Sequence, residues 1–151
     1  MALTVKEIMT PHPIVVDEAT PAAQCARLMD DHDIGALGVM REGRLVGVLT
    51  DRDIVIRAVA RERDLRTLSA GDMATPTVVA VAADAPVEEA ERRMRERAVR
   101  RLFIVGDDGR PLGILTTDDL IALREPHSIM AQQLGEWGMV RSDQGYSGSD
   151  D

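Results

Sequence analysis

The sequence predicts an α/β (α+β) chain built from two β-α-β-β-α repeats packed by pseudo-two-fold symmetry. Three observations carry this. First, Gly47-Val48-Leu49-Thr50-Asp51-Arg52-Asp53 returns as Gly113-Ile114-Leu115-Thr116-Thr117-Asp118-Asp119, each time as an apolar run turning straight into a helix start. Second, identical residues recur in register about 65 positions apart, among them Thr10/Thr75, Pro11/Pro76, Pro21/Pro86, Met29/Met94 and Leu37/Leu102, with one extra residue in the second hairpin turn. Third, this period exceeds the roughly 20–50 residues of stacking repeats. A single unit lies near the lower size limit for a stable core, so pairing of two units is the expected solution.

Each element has a local reason. Thr4 and Glu7 stand at capping-box spacing and start a short helix at Val5, which Pro11 and Pro13 end. Ile14-Val15-Val16 is a β-branched run and reads as a strand. Thr20-Pro21 opens a helix with Ala22, Cys25, Ala26, Leu28 and Met29 at helical spacing to about His32. Ala36 to Met40 and Leu45 to Leu49 flank a Glu42-Gly43 turn, a hairpin signal. Thr50 caps a helix carrying Ile54, Val55, Ala58 and Val59. The order then repeats: a short helix from Ser69 to Met73, a strand Val78 to Val81, a helix from Pro86 to about Arg97, a hairpin with arms Leu102 to Val105 and Leu112 to Leu115, and a last helix from Thr116 to about Leu123. The predicted domains are residues 5–60 and 69–124, joined by a charged linker 61–68. A C-terminal extension 125–151 follows, with a helix over Ile129 to Leu134 and a disordered Ser-, Gly- and Asp-rich end.

Composition narrows the function classes. Among 151 residues, 44% are hydrophobic and 29% charged, which suits a globular domain. No apolar run approaches the roughly 20 residues of a membrane span, and no basic-then-apolar signal peptide opens the chain. The net charge of −8 opposes nucleic-acid binding. Phe103, Trp137 and Tyr146 are the full aromatic set, too few for a base-stacking platform. Cys25 is the only cysteine, so no intrachain disulfide forms and a cytoplasmic, reducing setting is the simplest reading. Placed with Ala22 and Met29 on an apolar helix face, it reads as core. His12, His32 and His127 are scattered without metal-ligand spacing. Phosphate-loop, dinucleotide, zinc-protease and nucleophile-elbow signatures are absent, so no enzyme is expected.

The tandem units, the Met9-Thr10-Pro11-His12-Pro13 lead-in and the twin G-[VI]-L-T-x-x-D ends resemble a pair of CBS domains, a Bateman module, over about residues 5 to 124. The resemblance implies a cleft between repeats for an adenosine-containing ligand (AMP, ADP, ATP, NAD or S-adenosylmethionine) and, commonly, a homodimer. It also implies that the Asp of T-x-x-D holds the ribose hydroxyls, which assigns Thr50 and Asp53, and Thr116 and Asp119. The competing reading is structural: Thr caps the helix and Asp at the third helical position reaches back to it. For the base, Ile14, Val15, Val78 and Val79 at the first strands and Ala36, Leu37 and Leu102 at the second strands form the expected wall. For phosphate, Arg52, Arg100 and Arg101 are the candidates, since a planar guanidinium pairs two oxygens at once. Position 117 or 118 answers Arg52 in repeat two with no cation, so two unequal sites are expected. Arg92, Arg93, Arg95 and Arg97 read as a solvated helix face balanced by Glu88, Glu89 and Glu91. The function that follows is a stand-alone regulatory adenine-nucleotide module acting on a separate protein, with no required cofactor. The alternative is a ligand-free oligomerisation or interaction scaffold.

Overall fold

A computed structural model of the protein describes residues 3–76 and 80–124. The predicted positions Val78 and Val79 and the extension 125–151 lie outside them. Two compact units emerge. Among the described residues, one holds 14–76 and the other holds 3–13 together with 80–124. Each unit is therefore assembled from both repeats: the lead-in of each repeat folds with the body of the other.

In the first of these units, β2 (Val15–Asp17) runs parallel to β3 (Ala36–Arg41), and β3 turns back antiparallel into β4 (Arg44–Thr50). Gly43, at φ +79, closes the tight turn. Helix α2 (Ala22–His32) follows β2 and ends at Asp33 in the left-handed conformation. Its apolar residues Ala22, Cys25 and Met29 pack with Val16, Leu37, Val39 and Leu49 of the sheet. Helix α3 (Asp51–Ile54) leaves β4 and continues as a π-helical turn over Val55–Val59, closed by Ala60 N–H donating to Val55 O at 2.8 Å. The sequence places Ile54, Val55, Ala58 and Val59 on this helix together. Ile54 and Ala58 do join the core, but Val55 and Val59 are 54% and 56% exposed. The predicted linker packs rather than dangles: Leu68 is buried in the core, and the amides of Ala22 and Ala23 donate to Leu68 O and Leu65 O. Helix α4 (Ala70–Met73) then delivers Ala70 and Met73 to the same core.

The other unit repeats this plan. Its sheet runs β1-β7-β6-β5, with β1 (Thr10–Pro11), β5 (Ala80–Ala82), β6 (Arg101–Val105) and β7 (Pro111–Thr116). Helix α5 (Val87–Arg97) presents Val87, Ala90 and Met94 to Leu102, Ile104 and Leu115, and α1 (Val5–Ile8) adds Val5. Helix α6 (Thr117–Arg124) closes the unit with Leu120. Strand β1 was not visible as a strand in the sequence. It pairs Thr10 with Ile114, as Thr75 pairs with Val48 in the first unit.

That crossing explains the glycine of the duplicated motif. A Cβ on Gly47 would lie 3.0 Å from Thr75 O, and one on Gly113 would meet Met9 Sδ and lie 2.8 Å from Thr10 O. Only glycine lets the lead-in backbone approach the strand so closely. Each motif letter then has a job: Gly admits the crossing segment, Leu49 or Leu115 fills the core, and Thr50 or Thr116 ends the strand.

Candidate functional site

Alternation along a strand sends neighbours to opposite faces. In the first unit, Val16, Leu37, Val39 and Leu49 face the helices, so Val15, Ala36, Gly38, Val48 and Thr50 share the other face. The pairing aligns Val15 with Gly38 and Val48, and Ala36 with Thr50. Three of the predicted positions, Val15, Ala36 and Thr50, therefore stand on one face at the end where α3 begins. Ile14 lies beside them, half-buried against the core, and its carbonyl accepts Gly38 N–H at 3.1 Å. Leu37 has a fully buried side chain in the core, so only its backbone is on hand for a ligand.

At the turn, Asp53 Oδ2 accepts Thr50 N–H at 2.9 Å, and Asp53 N–H donates to Thr50 Oγ1 at 3.1 Å. This is a reciprocal capping box. It engages one carboxylate oxygen. The other, Oδ1, stands 4.0 Å from Nε of Arg57, longer than a hydrogen bond, and the Asp53 side chain keeps 16% of its surface exposed. Arg57 was not among the predicted residues. Its Nη1 donates to Met73 O at 2.8 Å and Ala74 O at 3.2 Å. A lone Arg four residues past an Asp on a helix was the available signal, since that spacing puts the two side chains together. Arg52 is exposed at the second residue of α3.

In the other unit, Ala80, Phe103 and Ile114 are in register, as are Arg101 and Thr116. Leu102 is fully buried in the core, as Leu37 is. Asp119 Oδ2 accepts Thr116 N–H at 2.8 Å and Thr116 Oγ1–H at 3.1 Å, and Asp119 N–H donates to Thr116 Oγ1 at 3.3 Å. Arg100 precedes β6, and its carbonyl accepts Thr117 N–H. Arg101 shares the sheet face with Thr116, so of the two arginines it is the one in line with the motif. The aligned faces differ in bulk: Ala36 and Gly38 in one unit answer Arg101 and Phe103 in the other.

Along α5, Arg92 pairs with Glu89 and Glu96 and Arg93 with Glu89, Arg93 also donates to Ala80 O, and Glu91 pairs with Arg124. Cys25 is fully buried, and burial pushes its thiol pKa up, away from thiolate reactivity. Among the described residues no group of three or more His, Cys, Asp or Glu side chains is placed to hold a metal ion. Nor is any helix among them long and apolar enough to cross a membrane.

Comparison with known proteins sharpens the picture. The family model described as "CBS domain" matches twice, at residues 5–59 and 70–125. Hypoxic response protein 1 of Mycobacterium tuberculosis is 36% identical over 128 residues, covering 84% of this chain and 89% of its own. A crystal structure of Hypoxic Response Protein I, described with two coordinated zinc ions, superposes with a TM-score of 0.71 at 36% identity, covering 80% of this chain and 98% of that one. The CBS domain pair of protein MJ0100, solved with 5′-methylthioadenosine and S-adenosyl-L-methionine, gives a TM-score of 0.74 at 26% identity over 85% of this chain and all of that one. With two family matches in one chain and solved CBS pairs of the same architecture, this protein belongs to the CBS domain family as a tandem pair.

Proposed function

We propose that the protein is a regulatory CBS-pair module that binds an adenosine-containing ligand of the AMP, ADP or ATP kind at its Thr-x-x-Asp turns and passes occupancy on to a partner protein. Asp53 Oδ1 carries the reading: the cap uses the other oxygen, and Oδ1 has only a cation at 4.0 Å among the described residues. A ribose 2′,3′-diol offers the two donors that such a carboxylate accepts. Val15 and Ala36 supply a small apolar wall beside it, with the backbone of Leu37 and the half-buried Ile14 at its border. Thr116, Asp119 and the backbone of Leu102 are the counterpart in repeat two, with Val78 and Val79 assigned by sequence alone. Arg52, Arg100 and Arg101 are the proposed phosphate ligands. The adenosine compounds held by the MJ0100 pair support the ligand class.

Calorimetric titration tests this. Asp53→Asn and Asp119→Asn each remove one charge-assisted bond worth about 1.5–3 kcal/mol, so affinity at the altered site should fall about 10- to 100-fold. Unchanged affinity in both variants would make the carboxylates helix caps and nothing more. Arg101→Ala should weaken ATP more than adenosine; equal losses would remove it from the phosphate role.

The rival reading is a ligand-free scaffold. It is favoured by the full capping boxes, which account for both Thr-Asp pairs without any ligand. Both readings include a homodimer. Val55, Ile56 and Val59, at 54%, 44% and 56% exposed on one π turn, supply an apolar strip suited to a second copy. A cytoplasmic site of action fits the lone, buried, free Cys25.

A further inference from the structure

We infer that Arg57 is a positioning residue that couples occupancy of Asp53 to the segment Met73–Thr75, part of the lead-in of repeat two. The inference rests on the ribose reading of Asp53. One guanidinium faces two ways: Nη1 holds the carbonyls of Met73 and Ala74 at 2.8 and 3.2 Å, while Nε stands 4.0 Å from Asp53 Oδ1. Those carbonyls end α4, whose C-terminal charge a cation complements. The next residue, Thr75, exchanges two backbone hydrogen bonds with Val48, at 3.0 and 3.1 Å. Val48 lies two residues before Thr50, the cap of the Asp53 turn. The path Asp53, Arg57, Met73–Ala74, Thr75, Val48, Thr50 is therefore a closed ring of contacts within one unit.

Without ligand, Arg57 is the only cation within 4.0 Å of Oδ1 among the described residues: its Nη1 bonds the two carbonyls, while its Nε faces the carboxylate as an ion-pair partner beyond hydrogen-bond reach. Ribose hydroxyls on Oδ1 replace Arg57 as the partner of that oxygen. The guanidinium then serves the carbonyls alone, and α4 with Thr75 is held more firmly. Repeat two lacks the device. The position answering Arg57 is Leu123, an apolar residue packed against its unit's core. Coupling therefore belongs to one unit, which makes the two repeats inequivalent in regulation as well as in pocket bulk.

Hydrogen exchange on the full chain, with and without saturating AMP, ATP, 5′-methylthioadenosine or S-adenosylmethionine, tests the inference. With the compound that binds, exchange at residues 70–75 should slow by about fivefold or more, the low end of typical site-to-site coupling. Arg57→Met should lose this ligand-dependent slowing. Arg57→Lys keeps the charge beside Asp53 but cannot span both partners, so it should bind the compound yet show no slowing. If Arg57→Met speeds exchange equally with and without ligand and the ratio survives, Arg57 is only a helix cap and the coupling is wrong. A wild-type response in Arg57→Lys would also overturn it. Failure of the underlying site is separable: normal binding in Asp53→Asn, or no binding of any of the four compounds to the wild type, removes the ribose reading and the coupling with it.

Discussion

Asp53 and Asp72 occupy the same local geometry with different surroundings. Each is the third residue of a short helix, accepts the amide of the capping residue (Thr50 or Ser69) and donates its own amide to that residue's hydroxyl. For Asp72 the Ser69 amide holds the carboxyl below its usual pKa. A depressed carboxyl stabilises the fold fully above the ordinary aspartate range and loses that contribution as pH falls through the folded value, because the unfolded chain then binds the extra proton. Thermal unfolding should thus lose some stability below the ordinary aspartate range, and Asp72→Asn should flatten that part of the profile. The slope is shallow because Asp72 is exposed. Thr50→Ala should cost about 1 kcal/mol through loss of the cap while leaving the carboxylate in place. Binding and stability at this turn can thus be separated. The Thr-x-x-Asp caps were legible from spacing alone, since capping is a contact over three residues. The second oxygen's surroundings were not, because Arg57 meets carbonyls sixteen and seventeen residues away.

At the scale of elements, the duplicated glycines are the most constrained positions. Gly113→Ala puts a Cβ against Met9 Sδ and the Thr10 carbonyl, and β1 must move away from β7. A loss of about 1–3 kcal/mol in denaturant unfolding is expected, with a smaller loss for Gly47→Ala, whose nearest obstacle is 3.0 Å away. Equal and negligible costs would show that the crossings are loose. The strands and the α2 and α5 helices were readable because their apolar periodicity is local. The crossing of the lead-ins was hidden because it joins residues far apart in the chain, Thr10 with Ile114 in one unit and Val48 with Thr75 in the other. The π turn was hidden too: its sequence reads as an ordinary amphipathic helix, yet Val55 and Val59 stand outside the core. Their exposure predicts association. Val59→Asp should convert a dimer to a monomer by light scattering, and a wild-type monomer at micromolar concentration would rule out this surface as a dimer contact.

For the whole molecule, the exchange of lead-ins is what ties the repeats into one protein. Val5 sits in the core of the unit that holds repeat two, and Met73 in the core of the unit that holds repeat one, so neither repeat is complete without a piece of the other. That the chain forms two small units was legible from the 65-residue repeat, whereas their exchange of lead-ins was not. Which ligand this arrangement serves rests on a single chemical claim, that Asp53 holds a ribose. Thermal unfolding of nucleotide-free protein against AMP, ADP, ATP, NAD and S-adenosylmethionine tests it most directly, in parallel with Asp53→Asn. A ligand at 100 times its dissociation constant adds about 2.7 kcal/mol, a rise of roughly 5–10 °C for a chain of this size. The account predicts such a rise with at least one compound and its marked reduction in Asp53→Asn. No rise with any of them, or a rise that Asp53→Asn leaves intact, would contradict it.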